Sequence, residues 1–187
     1  MSDATQLPLD LPAPTDDGAC DHLLGLELPD LELEGVDGRI YSLRSHASRW
    51  LVIYAYPRTG GGDVVLPADW DLIPGARGCT PQACAFRDHE DQLAALDAIV
   101  WGVSAQPLDE QREFGERMHI PFPLLNDSSL RLATAPLKLP TFIASNLTLY
   151  KRVTLIAERS TIVRVFYPVF PPDRNAVDVI AYLTSHQ

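Results

Sequence analysis

The sequence predicts an α/β domain, and three observations carry that prediction. Continuous apolar runs rich in β-formers recur at Leu51-Val-Ile-Tyr-Ala-Tyr56, Ile99-Val-Trp-Gly-Val-Ser-Ala105 and Val153-Thr-Leu-Ile-Ala157. Segments of helical character lie between or after them. Runs without polar alternation suit strands covered on both faces, and strands alternating with helices imply right-handed crossovers.

From the N-terminus, Met1 to about Cys20 carries Pro8, Pro12 and Pro14 among acids and small residues. It reads as a mobile extended arm (1–20), leaving 21–187 as one domain. After the first strand, Thr59 to Pro74 contains Gly60-Gly-Gly and Pro67 and makes a long loop of the kind that carries function or disorder. Pro81 to Leu96 reads as a helix, with Cys84, Phe86, Leu93 and Leu96 apolar against polar Arg87, Asp88, Glu90 and Asp91. Leu108 to Met118 is a polar helix following the second strand. Leu139 to Tyr150 reads as an extra strand or hairpin. Val153–Ala157 and Thr161–Phe166 pair across a short turn. Asn175 to Leu183 closes the chain with a helix on which Val177, Ile180 and Leu183 share a face.

Composition narrows the functional class. Twenty-five acids against 15 bases give a net charge of -10, which argues against nucleic acid and anionic membrane surfaces as partners. No apolar run reaches the ~20 residues of a membrane span, and the acidic, Pro-rich start lacks the features of a secretory signal. A reducing cytoplasm is the expected location. Three cysteines are too few for a disulfide framework, and a close pair in a reducing compartment points to catalysis, redox sensing or metal binding.

That pair stands in Gly78-Cys-Thr-Pro-Gln-Ala-Cys-Ala-Phe-Arg-Asp88. Thr80 and Pro81 suit the N-cap and first position of a helix. Cys79 then faces the unpaired N–H groups and the positive dipole end, a setting that stabilises a thiolate, with Arg77 adding charge. In one continuous helix the Cα atoms of Cys79 and Cys84 would stand about 8.6 Å apart on different faces. A disulfide needs less than about 7 Å, so bonding requires the first turn to unwind. An oxidised Cys79 sulfur would then condense with the Cys84 thiol. The competing readings are simple packing, favoured for Cys84 taken alone, and a zinc site with His89, which lacks a fourth ligand. Cys20 reads as incidental. The tri-glycine lacks the Gly-Lys-Ser/Thr of a phosphate loop.

This cysteine segment strongly resembles the active-site helix of peroxiredoxins, closest to the Q-type or bacterioferritin-comigratory branch, whose resolving cysteine lies five residues after the peroxidatic one. Val100-Trp-Gly-Val-Ser-Ala-Gln106, Ile120-Pro-Phe-Pro-Leu-Leu-Asn-Asp127 and Arg152-Val-Thr-Leu-Ile156 resemble other segments of that family in the same order. The resemblance implies a thioredoxin-like fold, a central mixed sheet flanked by helices, with two insertions at 59–74 and 139–150. It implies reduction of hydrogen peroxide and organic hydroperoxides, with Cys79 peroxidatic and Cys84 resolving through an intramolecular disulfide. Arg152 would hold the thiolate and polarise the peroxide, Gln82 would support it, and Pro57 would shield the nucleophile. No flavin, haem or metal cofactor is implied. A thioredoxin or glutaredoxin-like reductant is the implied partner, and a monomer or weak homodimer the implied state. The chain departs from the family's Pro-x-x-x-Thr/Ser-x-x-Cys pattern: Ala76 occupies the hydroxyl position, and an insertion of about sixteen residues intervenes. Thr59, two residues after Pro57, is the candidate replacement. Two other classes compete. A thiol–disulfide oxidoreductase would favour Cys-x-x-Cys, and a redox sensor or binding module would keep the site with weak turnover.

Overall fold

The computed structural model describes residues 7, 8 and 10–187. A seven-stranded mixed sheet runs through it in the order β2-β1-β5-β4-β3-β8-β9. Its strands are β1 (Glu32–Gly35), β2 (Ile40–Ser42), β3 (Trp50–Ala55), β4 (Ala98–Ser104), β5 (Leu124–Asn126), β8 (Val153–Glu158) and β9 (Thr161–Phe166). A separate hairpin pairs β6 (Thr141–Ala144) with β7 (Leu147–Tyr150). β3 lies parallel to β4 and antiparallel to β8, and β4 is parallel to β5.

Every residue of β3 is buried, which is why its sequence shows no polar alternation. Trp50, Val52 and Tyr54 point to one face, where they join Phe86, Leu93, Phe114, Val179 and Leu183. Those partners come from the four helices α1 (Cys79–Asp88), α2 (Glu90–Ala95), α3 (Leu108–Arg117) and α4 (Asn175–Thr184), so all four serve one face. Leu51, Ile53 and Ala55 point to the other face and meet Leu23, Leu28, Leu33, Leu137 and Tyr150. That second face is covered by the N-terminal segment and the irregular chain after β5 rather than by helices.

Several elements differ from the sequence expectation. The helix over 81–96 is two helices, broken at His89, whose ring Nδ1 lies 2.8 Å from the Ala85 carbonyl. α1 begins at Cys79 rather than after a Thr80 cap: Gly78 takes φ +107 and turns the chain directly into the helix. That position also needs glycine because a Cβ there would collide with the Pro172 ring. β1, β2 and β5 were invisible at three or four residues each.

The two insertions form one cap. Trp70, in a 3-10 turn inside the 59–74 loop, is 3% exposed and packs with Ala76, Ala144 and Leu149, its ring 6.3 Å from that of Phe142. Each segment taken alone lacks a core, and together they make a small one.

The arm expected to be mobile from Met1 to Cys20 lies partly outside the described residues. Its described end is held against the body. Cys20 is 5% exposed within the larger core cluster, so it is a packing residue rather than an incidental surface thiol. Burial, with Asp17 nearby, pushes that thiol up to about 12. Asp17 accepts hydrogen bonds from Lys151 Nζ (2.6 Å) and Tyr167 Oη (2.7 Å). These bonds, that from Lys151 foremost, hold its carboxyl at about 2 instead of its ordinary 3.8. Because the folded value lies below the unfolded one, the carboxylate's contribution to docking is complete above the ordinary value and fades as pH falls through about 2. Acid titration followed by the Tyr167 ring signals should therefore show the arm loosening across that interval. Asp17→Asn should abolish the transition; an unchanged titration in the variant would contradict the assignment.

Candidate active site

The site forms where β3 ends and α1 begins, at the carboxyl edge of the parallel strands, the usual place for chemistry in such sheets. Cys79 occupies the first position of α1 and is 3% exposed. Arg152 enters from the link between β7 and β8, where Val153 pairs with Ala55 at the end of β3. Its Nη2 donates to Cys79 Sγ at 3.2 Å and lies 3.2–3.3 Å from the carbonyls of Gly75, Ala76 and Arg77. The thiol in turn points at the Ala76 carbonyl, 3.7 Å away.

Gln82, one helical turn after Cys79, is fully buried and accepts from Arg152 Nη1. Its amide donates to Asn175 Oδ1 at 2.8 Å, and that oxygen also accepts from Thr154 Oγ1 at 2.7 Å. The result is a buried relay, Thr154 and Gln82 to Asn175, and Arg152 to Gln82 and Cys79. Asn175 and Thr154 were missed by sequence reasoning. Thr154 had a signal, since it lies two residues after Arg152 and shares its side of an extended chain. Asn175 had only its place at the head of α4, which the topology brings against α1.

Cys84 lies in the same continuous helix as Cys79, is 6% exposed, and is a free thiol. Burial raises its pKa, with Arg87 opposing the shift. Pro57 is buried just beyond β3, and its carbonyl accepts from Ser104 Oγ at 3.0 Å. Thr59 lines the same cavity of about 170 Å³ as Cys79. Its hydroxyl donates to Gln106 Oε1 at 3.0 Å, and its backbone N–H and carbonyl bond the same glutamine side chain. The hydroxyl proton is thus committed to Gln106, and only the oxygen lone pairs remain for the cavity. The tri-glycine also acquires a reason. A Cβ on Gly61 would stand 2.9 Å from Arg117 Nη2, and Arg117 donates to the Gly60 carbonyl at 3.0 Å, so the loop lies flat on α3.

Such an arrangement can stabilise negative charge on sulfur and deliver N–H donors to an oxygen bound beside it. Residues 72–165 match the model of the AhpC/TSA family, half of the chain.

The chain belongs to the AhpC/TSA family.

Among its relatives, peroxiredoxin Bcp of Bacillus subtilis (strain 168) is 36% identical over 112 residues, covering 60% of this chain and 62% of that protein. A putative chloroplastic peroxiredoxin Q of Oryza sativa subsp. indica is 29% identical over 162 residues, 86% of this chain and 66% of that protein. The matched region thus spans just under two thirds of these relatives' length. The crystal structure of the peroxidoxin BcpB from Mycobacterium tuberculosis superposes with a TM-score of 0.69 at 25% identity, covering 88% of this chain and 97% of that one. The fold of this family member is accordingly the thioredoxin-like one expected from its cysteine helix.

The relay predicts coupled losses. Gln82→Ala strips an acceptor from a buried guanidinium and should cost about 1–3 kcal/mol, read by urea unfolding. Combined with Asn175→Ala, the loss should fall short of the sum by more than about 0.5 kcal/mol. Strict additivity would mean the two amides act separately.

Proposed function

We propose that the protein is a thiol-dependent peroxidase that reduces hydrogen peroxide and organic hydroperoxides through Cys79, as an atypical two-cysteine peroxiredoxin. One observation carries the reading: a buried guanidinium donates to the sulfur of a cysteine that lines a solvent-connected cavity at a helix start. The thiolate attacks the terminal oxygen of the peroxide. An S–O bond forms as the O–O bond breaks, and the departing alkoxide or hydroxide takes a proton and leaves as alcohol or water. Arg152 and the N–H groups of the first helical turn favour this step by stabilising charge on sulfur and on the leaving oxygen. Gln82 fixes the guanidinium plane, Pro57 closes the site from behind, and Thr59 offers its hydroxyl oxygen to the peroxide proton.

Cys79 is then a sulfenic acid, and the Cys84 thiol condenses with it, forming the disulfide and releasing water. In the continuous helix the two sulfurs are separated by more than one turn, so the start of α1 must unwind first. Burial keeps Cys84 a protonated, unreactive thiol until then. A dithiol protein of the thioredoxin or glutaredoxin type returns two electrons and two protons. The reading extends to a reducing compartment such as the cytoplasm and to a monomer or weak homodimer, and the chemistry calls for no cofactor.

Intact mass with thiol alkylation after one equivalent of hydrogen peroxide tests the cycle. Wild type should lose two hydrogens through a Cys79–Cys84 bond, Cys84→Ser should gain one oxygen at Cys79, and Cys79→Ser should stay reduced at Cys84. Unoxidised Cys79 that alkylates at an ordinary thiol's rate would sink the proposal.

A further inference from the structure

The wall of the Cys79 cavity is built by residues that the cycle above leaves unused. Three guanidiniums, those of Arg58, Arg77 and Arg117, line it. Each has a carboxylate partner: Glu110 at 2.7 Å, Asp71 at 3.1 Å and Glu113 at 2.7 Å. None of these three acids lines the cavity; Asp71 and Glu113 are the more solvent-exposed member of their pairs. Donors are also left over. Arg58 uses Nη2 for both Glu110 oxygens, and Arg77 uses Nη1 for Asp71, so Arg58 Nη1 and Arg77 Nη2 make no hydrogen bond among the described residues. A guanidinium carries five N–H donors, so a bound carboxylate can be served without displacing the acids already present.

The same wall also carries apolar side chains. Leu66 and Trp70 come from the 59–74 insertion, and Trp70 is braced from behind by Phe142 of the hairpin cap. The tri-glycine and Arg117 clamp the start of that insertion onto α3. The cavity is therefore small, and its wall combines cationic and apolar side chains with the reactive sulfur.

We infer that this pocket selects short organic hydroperoxides that carry a carboxylate. Arg58 and Arg77 read the anion, and Leu66 and Trp70 hold the carbon skeleton. The inference rests on the peroxidase reading and adds the substrate class to it. The chain as a whole carries a charge of -10, which repels anions at long range, so the preference must come from these local cations.

The test compares Cys79 oxidation rates for a tertiary alkyl hydroperoxide ending in a carboxylate and for its methyl ester, with hydrogen peroxide as reference. The acid should react about tenfold faster than the ester at low salt, the scale expected of local charge complementarity. The ratio should shrink toward one as ionic strength rises from ~0.01 M to ~1 M and the screening length falls from ~30 Å to ~3 Å. It should also shrink in Arg77→Gln and further in Arg58→Gln/Arg77→Gln, and be largely retained in Arg77→Lys. If the double variant fails to fold, the single variant, whose partner Asp71 faces solvent, and the salt series give the same readout. Equal acid and ester rates in wild type, or a ratio unmoved by Arg77→Gln, would overturn the inference. If hydrogen peroxide itself fails to oxidise Cys79, it is the peroxidase reading that falls.

Discussion

A guanidinium buried without a carboxylate partner among the described residues is the constraint on which the rest of this structure depends. Arg152 is 3% exposed, and its partners are an amide oxygen, three backbone carbonyls and the Cys79 sulfur. Burying a cation costs several kcal/mol even after relaxation, and dipoles recover only part of that. Among these partners the sulfur alone can take a full negative charge. The fold thus aims a buried cation at the Cys79 sulfur, and the peroxidase reading builds on that contact.

The surrounding architecture serves this contact. Gly78 turns the chain into α1 at a left-handed φ and sets Cys79 against the guanidinium. Asn175, at the head of α4, and Thr154, on β8, fix the orientation of Gln82, which fixes Arg152. Three segments distant in sequence, the starts of α1, β8 and α4, are therefore tied to one sulfur through buried hydrogen bonds. Removing a member of such a relay strands further buried polar groups, beside Arg152 Nε, which already lies buried without a partner among the described residues. The two insertions lie outside it. They pack on each other through Trp70 and Phe142, and the first of them forms part of the wall of the cavity.

Much of this was legible in the sequence, for identifiable reasons. β3, β4 and β8 were found because strands covered on both faces leave unbroken apolar runs, and β9 because it follows β8 across a short turn. α1 was found because Thr80 and Pro81 mark a helix start, though the structure begins it two residues earlier, at Cys79. β1, β2 and β5 were missed because three or four residues give no usable period. Proline and acid content in the arm carries no information about Asp17 finding Lys151 and Tyr167 more than 130 residues away. Asn175 escaped for the same reason: its role exists only once α4 packs on α1. The cap was illegible in principle, since neither insertion has a core until it meets the other.

The claim that the Arg152 charge governs the reactivity of Cys79 is tested most directly by stopped-flow measurement of sulfenate formation with hydrogen peroxide in wild type and Arg152→Met. Loss of one preorganised charge donor should slow the reaction about 10²-fold or more, with Arg152→Lys recovering part of the loss. A rate in Arg152→Met within about twofold of wild type, in protein that keeps its fold, would contradict the account, since about tenfold already corresponds to only 1.4 kcal/mol.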